Sequence, residues 1–308
     1  MDLSVILSGH GKRLVLKNPL LAASGTFGNG LEFAPFGNLA DLGGFVVKGL
    51  SLKSRPGNPM PRIAETPAGM LNSIGLQNEG VDRFLTHILP QLPTAETAVI
   101  VNIYGSTLEE IGELAARLNG VEGIAGLELN VSCPNVKAGG AIFGSSAELC
   151  HAAVEAAREN APDKFLIVKL SPNVTNIVAI AESAEDAGAD CISCINTLLG
   201  MGIDSRSRKP LLANIVGGLS GPAIKPVALR CVWQVARAVK VPIIGVGGIM
   251  SATDILEFLL AGASAVEIGT ANFMRPDAAF VMAAELPALL VEQGVSSPAE
   301  LIGALVTD

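Results

Sequence analysis

Short runs of apolar, β-prone residues alternate along the chain with stretches in which apolar positions recur every three or four residues. The two periods interleave with no dividing linker, which predicts parallel β/α units in a single domain over residues 1–308. Eight runs read as core strands: Pro19–Ser24, Gly44–Lys48, Val99–Tyr104, Gly126–Val131, Phe165–Leu170, Asp190–Asn196, Val241–Val246 and Ala265–Gly269. Segments such as VIVNI, LIVKL and PIIGV within them have the near-continuous apolar character of strands buried on both faces. Helical spacing is found at Thr107–Asn119, Ser145–Glu159, Val174–Ala187, Ala223–Val239, Ala252–Ala261 and Asp277–Glu292. The first of these opens on Thr with two Glu close behind, as capping and the helix dipole prefer. The pattern predicts an α/β fold, a (β/α)8 TIM barrel. Leu3–Leu7 and Lys12–Leu16, separated by SGHG, read as an N-terminal β-hairpin within residues 1–17. Two connections are long, about Gly49 to Ala98 and Thr197 to Gly221, and such inserted βα-loops build a substrate site or a partner surface over the C-terminal face. Asn78–Leu92 inside the first reads as an extra helix.

Composition narrows the functional classes. The 308 residues suit one large barrel, and 49% hydrophobic residues provide ample core. A formal net charge of −8 disfavours a nucleic-acid partner, and the short basic stretch Arg206, Arg208, Lys209 reads as a solvated loop. No apolar run approaches the roughly 20 residues of a spanning helix, and the N-terminus lacks the pattern of a secretory signal. Five scattered cysteines, Cys133, Cys150, Cys191, Cys194 and Cys231, give no disulfide framework and fit a reducing, cytoplasmic setting. Cys191 and Cys194 form a C-x-x-C, but inside the strand-like DCISCIN residues three apart point to opposite faces, so no metal or redox role is expected of them.

In a barrel the reactive face lies at the C-terminal ends of the strands. Those ends read Ser24, Lys48, Asn102, Asn130, Lys169, Asn196, Gly247 with Gly248, and Gly269 with Thr270. Two Lys and three Asn at five separate strand ends imply a large polar ligand, because buried polar groups demand partners. GVGGI (Gly245–Ile249) and EIGT (Glu267–Thr270) fall where barrels bind phosphate, and GGLSGP (Gly217–Pro222) offers a further amide. No Rossmann G-x-G-x-x-G follows a strand, which disfavours direct NAD binding. Lys48 and Lys169 admit two readings, a Schiff-base nucleophile or a fixed cation. Two lysines among many Asn donors fit the second better, since reduced flavin carries negative charge at one edge. Cys133, in the loop of LELNVSCPNVKAGG (Leu127–Gly140), has a thiol able to accept a proton when cations lie near. His10, His87 and His151 lie away from the strand ends and read as surface or packing residues.

With these residues assembled, the chain resembles class 1 dihydroorotate dehydrogenases over nearly its whole length. The similarity is carried by NPLLAASGTFG (Asn18–Gly28), VVKG (Val46–Gly49), GMLNSIGLQN (Gly69–Asn78), NVSCPN (Asn130–Asn135), VKLSPN (Val168–Asn173), INT (Ile195–Thr197), GGLSGPAIKPVALR (Gly217–Arg230), GVGGI and IGT. The resemblance implies one FMN, bound by Ala23, Ser24, Lys48, Gly49, Asn102, Asn130, Lys169, Ile195, Gly221, Gly247, Gly248, Gly269 and Thr270. It places the pyrimidine against Lys48, Asn72, Ser73, Ile74, Gly75, Leu76, Asn130, Asn135, Asn196 and Thr197. It makes Cys133 the base that takes the C5 proton of dihydroorotate while hydride leaves C6 for flavin N5; membrane-bound class 2 enzymes carry Ser there. It also implies that loop Ser132–Gly144, with Gly139 and Gly140 as hinges, closes over the site. Pro56–Asn78 resembles the B type, in which NAD is reduced through a second subunit bearing FAD and a [2Fe–2S] cluster, in a heterotetramer of two catalytic and two electron-transfer chains. The alternatives are the fumarate-linked A-type homodimer, the pyrimidine-reducing module of a dihydropyrimidine dehydrogenase, a Schiff-base aldolase or isomerase, and a flavin-carrying scaffold.

Overall fold

The structure is a computed structural model that describes residues 1–132 and 143–307. It opens with strands β1 (Val5–Gly9) and β2 (Lys12–Leu16), an antiparallel hairpin that pairs Val5 with Leu16. His10 and Gly11 make the turn at φ 45° and 78°, the left-handed pair that matches the twist of a two-residue hairpin. The hairpin buries Val5, Leu7, Leu14 and Leu16 and exposes Ile6 and Val15, so one face is committed to the core.

The remaining strands in chain order are β3 (Leu20–Ala22), β4 (Gly44–Leu50), β5 (Ile63–Thr66), β6 (Gly69–Asn72), β7 (Ala98–Ile103), β8 (Gly126–Asn130) and β9 (Phe165–Leu170). They continue with β10 (Cys191–Cys194), β11 (Leu198–Met201), β12 (Ile203–Asp204), β13 (Lys209–Pro210), β14 (Val216–Ser220), β15 (Ile243–Val246) and β16 (Ala265–Ile268). Eight of them, β3, β4, β7, β8, β9, β10, β15 and β16, close into a parallel barrel in that order, and they are the eight expected from the apolar runs. Helices cover the outside: Leu108–Leu118, Ala147–Asn160, Ile177–Asp186, Lys225–Ala236, Ala252–Leu260 and Ala278–Glu292. Their starts are set by side-chain caps. Thr107 accepts from the Glu110 amide, Ser146 from Leu149, Asn176 from Val178, and Ser251 forms a capping box with Asp254.

Two apolar layers result. Val46, Ile100, Ile167, Cys191 and Ile244 point inside the barrel and meet the hairpin's Leu7 and Leu16. Val47, Val101, Val168 and Cys194 point outward against the helices. Cys191 and Cys194 thus sit on opposite faces, as the strand period requires.

The long connections are more ordered than expected. β5, β6, β11 and β14 form an antiparallel sheet in the order β11-β14-β6-β5. Its residues Leu199 and Met201, with the following Ile203, stand exposed. The extra helix begins at Val81 rather than Asn78, and continues as a π-helical turn Phe84–Ile88 and a 3-10 turn Leu89–Gln91. Asn78 cannot open it because its amide is engaged elsewhere, accepting from the Gly80 amide and donating to Ser51 Oγ at 2.9 Å each. Among the described residues no helix is long and apolar enough to cross a membrane.

Candidate active site

The strand ends meet at one mouth. In β4 the ladder to β7 shifts register between Val47 and Leu50, which frees Lys48 and Gly49 from regular pairing. The Lys48 amide bonds instead to Gly28 O at 2.8 Å. Burial lowers the Lys48 ammonium below its usual range, Arg62 adds to the effect and Glu32 opposes it. Lys48 lines a cleft of about 690 Å3 with Asn29, Arg55, Gln77 and Arg83. Just past β3, Ser24 Oγ donates to Val47 O at 2.9 Å. Ala23 is buried beside it, its amide on Ile268 O.

Side-chain amides gather across the mouth. Asn130 Oδ1 accepts from Asn196 Nδ2 at 3.2 Å and from the Ser132 amide at 3.0 Å. Asn196 Oδ1 accepts from the Thr197 amide, and Asn173 holds the Thr197 carbonyl. Ile195 is buried, with its amide on Val246 O. On β6, Asn72 donates to Gly218 O of β14 at 3.4 Å. Glycine makes this approach possible: a Cβ on Gly217 would lie 2.5 Å from Asn72 O, and one on Gly218 2.2 Å from Thr197 Oγ1. β14 therefore lies tight between Asn72 and Thr197. Gly75 and Leu76 turn the following segment at φ 76° and 56°. The Leu76 side chain comes to 3.8 Å from where a Gly49 Cβ would stand. Ser73 Oγ is buried without a partner among the described residues, and Asn58 holds the backbone, bonding Ile74 O and Ser73 O.

The glycines expected to take phosphate converge from three loops. Gly221, Gly247 and Gly248 have φ of 97°, 124° and 77°. A Cβ on Gly248 would lie 2.6 Å from the Lys225 nitrogen, and one on Gly221 2.7 Å from Gly69 Cα. Thr270 Oγ1 donates to Ser220 Oγ at 2.8 Å, joining the end of β14 to the loop after β16, where a Cβ on Gly269 would make only ordinary contacts, at 3.9 Å, with Ala23 and Thr26.

Asn102 and Lys169 point deeper, into a polar cluster that the sequence reading missed. Asn102 Nδ2 donates to Glu128 Oε1 at 2.7 Å, and Ser193 Oγ donates to Glu128 Oε2 at 2.9 Å. Lys169 Nζ lies 2.8 Å from Glu267 Oε2 and 3.5 Å from Glu128 Oε1. Glu128, Ser193 and Glu267 are 0% exposed and Lys169 only 6%. Burial disfavours the Lys169 charge, but Glu128 and Glu267 outweigh it and raise its pKa. Burial works against Glu128 too, yet Lys169 and its hydrogen bonds hold it below the usual carboxyl range. Glu267 is pushed up to about 8 by burial and by the Glu128 charge. The available signal was a Glu inside LELN and AVEIG, two residues before Asn130 in the first case and so on the same strand face.

Cys133 and Asn135 lie outside the described residues, as do the hinges Gly139 and Gly140. Cys150, Cys191, Cys194 and Cys231 are buried free thiols. His10 and His87 are exposed and His151 is half-buried on a helix, none at the mouth. Among the described residues no group of His, Cys, Asp and Glu is placed to hold a metal.

A closed parallel barrel whose C-terminal mouth carries amides, lysines and clustered glycines defines a (β/α)8 enzyme with a polar site at that mouth. More particularly, the chain belongs to the dihydroorotate dehydrogenase family, whose model, "Dihydroorotate dehydrogenase", matches residues 7–290. It is 60% identical over 305 residues to the "Dihydroorotate dehydrogenase B (NAD(+)), catalytic subunit" of Solidesulfovibrio magneticus, covering 99% of this chain and 98% of the relative. Proteins of the same description from Geotalea uraniireducens and Maridesulfovibrio salexigens are 58% and 57% identical, each over 99% of both chains. In fold it is similar to the crystal structure of a dihydroorotate dehydrogenase in complex with ferulenol from Eimeria tenella, with TM-score 0.80, 24% identity, and 98% of this chain and 88% of that one covered. The family resemblance read from the motifs is thereby borne out.

Proposed function

We propose that the chain oxidises dihydroorotate to orotate in pyrimidine biosynthesis and passes the electrons to NAD through a partner subunit. The observation that carries this reading is the convergence of Asn130, Asn196 and Thr197 at the mouth, with Lys169 paired in register beside Asn130, in a chain of this family. Each side-chain amide offers both a donor and an acceptor, which suits the imide edge of a pyrimidine, and Lys48 supplies a cation for its carboxylate.

FMN fits the residues present. The cradle of Gly221, Gly247, Gly248, Gly269 and Thr270 would take the phosphate, and at Gly221 and Gly248 a Cβ would collide with backbone. Ala23, Ser24, Lys48, Gly49, Asn102, Asn130, Lys169 and Ile195 would hold the ring system. When bound, FMN supplies the hydride acceptor. Lys48, Asn72–Leu76, Asn130, Asn135, Asn196 and Thr197 would orient the substrate ring, so that proximity and fixed charge supply much of the rate. Cys133 would take the C5 proton as a thiolate, a role that rests on its place in NVSCPN and on thiol chemistry.

The electron route follows from what the sequence carries: without a Rossmann fingerprint or a four-cysteine cluster motif, NAD is reached through another chain. That partner is expected to bring FAD and a [2Fe–2S] cluster in a cytoplasmic heterotetramer. The visible spectrum of the purified chain tests the reading. A yellow protein that bleaches on anaerobic addition of dihydroorotate is expected; a colourless protein, or bleaching by dihydrouracil alone, would refute it. Co-purification with a partner containing iron and FAD tests the acceptor, and turnover with fumarate in its absence would reverse that assignment.

A further inference from the structure

Three ionisable side chains meet in the dry centre of the barrel. With Lys169 charged and both Glu128 and Glu267 ionised, the cluster would carry one uncompensated negative charge where water does not reach. A single proton on the carboxylates makes it neutral. The hydrogen bonds say where that proton belongs. Both Glu128 oxygens accept donors, from Asn102 and from Ser193. Glu267 Oε2 accepts from Lys169, while Glu267 Oε1 is buried with no donor among the described residues. A bare carboxylate oxygen is costly there, whereas a protonated one can donate to neighbouring Glu128.

We propose that Glu128 and Glu267 share one proton beside a fixed Lys169 ammonium, and that this trio positions the lysine and balances the negative charge the flavin gains on reduction. The inference rests on the reading that FMN lies against Lys169. Neither glutamate is a catalytic residue; both act through the lysine. Glu267 faces Lys169 from β9, Glu128 from β8 and Cys191 from β10, while the flanking strands β3 and β15 carry no titratable residue. On the helix packed outside β16, Asp254 and Glu257 are both paired with Lys225. The pair's proton is lost near pH 8. Above that, adding two electrons to the cofactor draws one further proton from solvent onto the carboxylates, because the new negative charge raises their affinity for it.

Redox titration of the holoenzyme against a reference dye, from about pH 6.5 to about pH 9.5, reads this directly. At fixed potential, the reduced-to-oxidised ratio should acquire an extra fall approaching tenfold per pH unit above about pH 8. Glu267→Gln should abolish the extra fall while Cys133→Ala keeps it, which separates the carboxylate pair from the thiol. Wild-type protein also allows a test that needs no variant: the infrared carbonyl band of a buried protonated carboxyl should vanish as pH rises through about 8. A titration without the bend, a bend that survives in Glu267→Gln, or no such band would overturn the inference, even in a protein that dihydroorotate bleaches. A chain that binds no flavin would instead overturn the functional reading on which it stands.

Discussion

Substituting Gly248 by alanine tests the glycine cradle most sharply. The residue adopts φ 77°, and an added Cβ would lie 2.6 Å from the Lys225 nitrogen and 2.8 Å from its Cα. Both are backbone atoms at the start of the helix Lys225–Ala236, so the collision cannot be relieved by a side-chain rotation. The left-handed conformation costs a non-glycine residue about 1–2 kcal/mol, and overpacking typically adds about 1–3 kcal/mol. An apoprotein can relax by shifting the loop after β15, but a loop that must meet a phosphate cannot. Some 2–4 kcal/mol is then charged against cofactor binding, which weakens FMN retention by about 30-fold to several hundredfold at about 1.4 kcal/mol per factor of ten. Gly120→Ala is the control, since it shares a positive φ of 70° but has nothing within 4 Å of its Cβ position. Fluorescence titration of each apoprotein with FMN gives the affinity, and thermal unfolding without FMN reports any general damage. FMN affinity in Gly248→Ala equal to that of the Gly120→Ala control would refute the assignment of this loop to the phosphate.

Other substitutions probe the mouth and the frame beneath it. Lys48→Met should raise the KM for dihydroorotate about 10- to 100-fold, the worth of a charge-assisted hydrogen bond of about 1.5–3 kcal/mol; steady-state kinetics with an unchanged KM would remove Lys48 from carboxylate recognition. Arg158→Met leaves fully buried Asp190 without the partner 2.5 Å away and should cost about 3–5 kcal/mol of stability, read as a lower denaturant midpoint. Glu267 has a folded-state pKa raised to about 8, so the stability it contributes is fully present below the ordinary carboxyl range and is lost as pH rises through about 8. Melting temperatures of Glu267→Gln should accordingly fall less than those of wild type over that window, and parallel profiles would contradict the assignment. Cys133→Ala should stay yellow yet hardly bleach with dihydroorotate, and rapid anaerobic bleaching would take the thiol out of the proton-transfer role.

The barrel was legible because its strands are buried on both faces and so spell themselves as unbroken apolar runs. The helices were legible to within a few residues because apolar positions recur along them at helical spacing, with Thr107 also readable as a cap. The rim sheet was hidden for the opposite reason. β14 reads VGGLS, a segment with poor intrinsic strand preference, and its two glycines serve close approach to Asn72 and Thr197 rather than propensity. Its sequence points to backbone amides and to the family motif, and not to a strand. At the site, strand-end position alone located Lys48, Asn130 and Asn196. It misjudged the depth of Asn102 and Lys169, whose side chains turn down toward carboxylates two residues or more below the rim. Glu128 and Glu267 escaped notice because each lies within an apolar run, where the period of the strand drew attention away from the one residue that broke it.

The N-terminal hairpin sets the direction of traffic through the molecule. Leu7 and Leu16 share the inner apolar cluster with Val46, Ile167 and Ile244, and Gly9 lies so close to Asp190 that a methyl there would sit 2.2 Å from its carbonyl oxygen. Such a stopper denies solvent an approach from below. Protons bound for the carboxylates at the centre must come down from the ligand side, so a seated cofactor and substrate act as the cork at the other end. Isotope exchange at that buried proton should therefore slow as the bottle is filled.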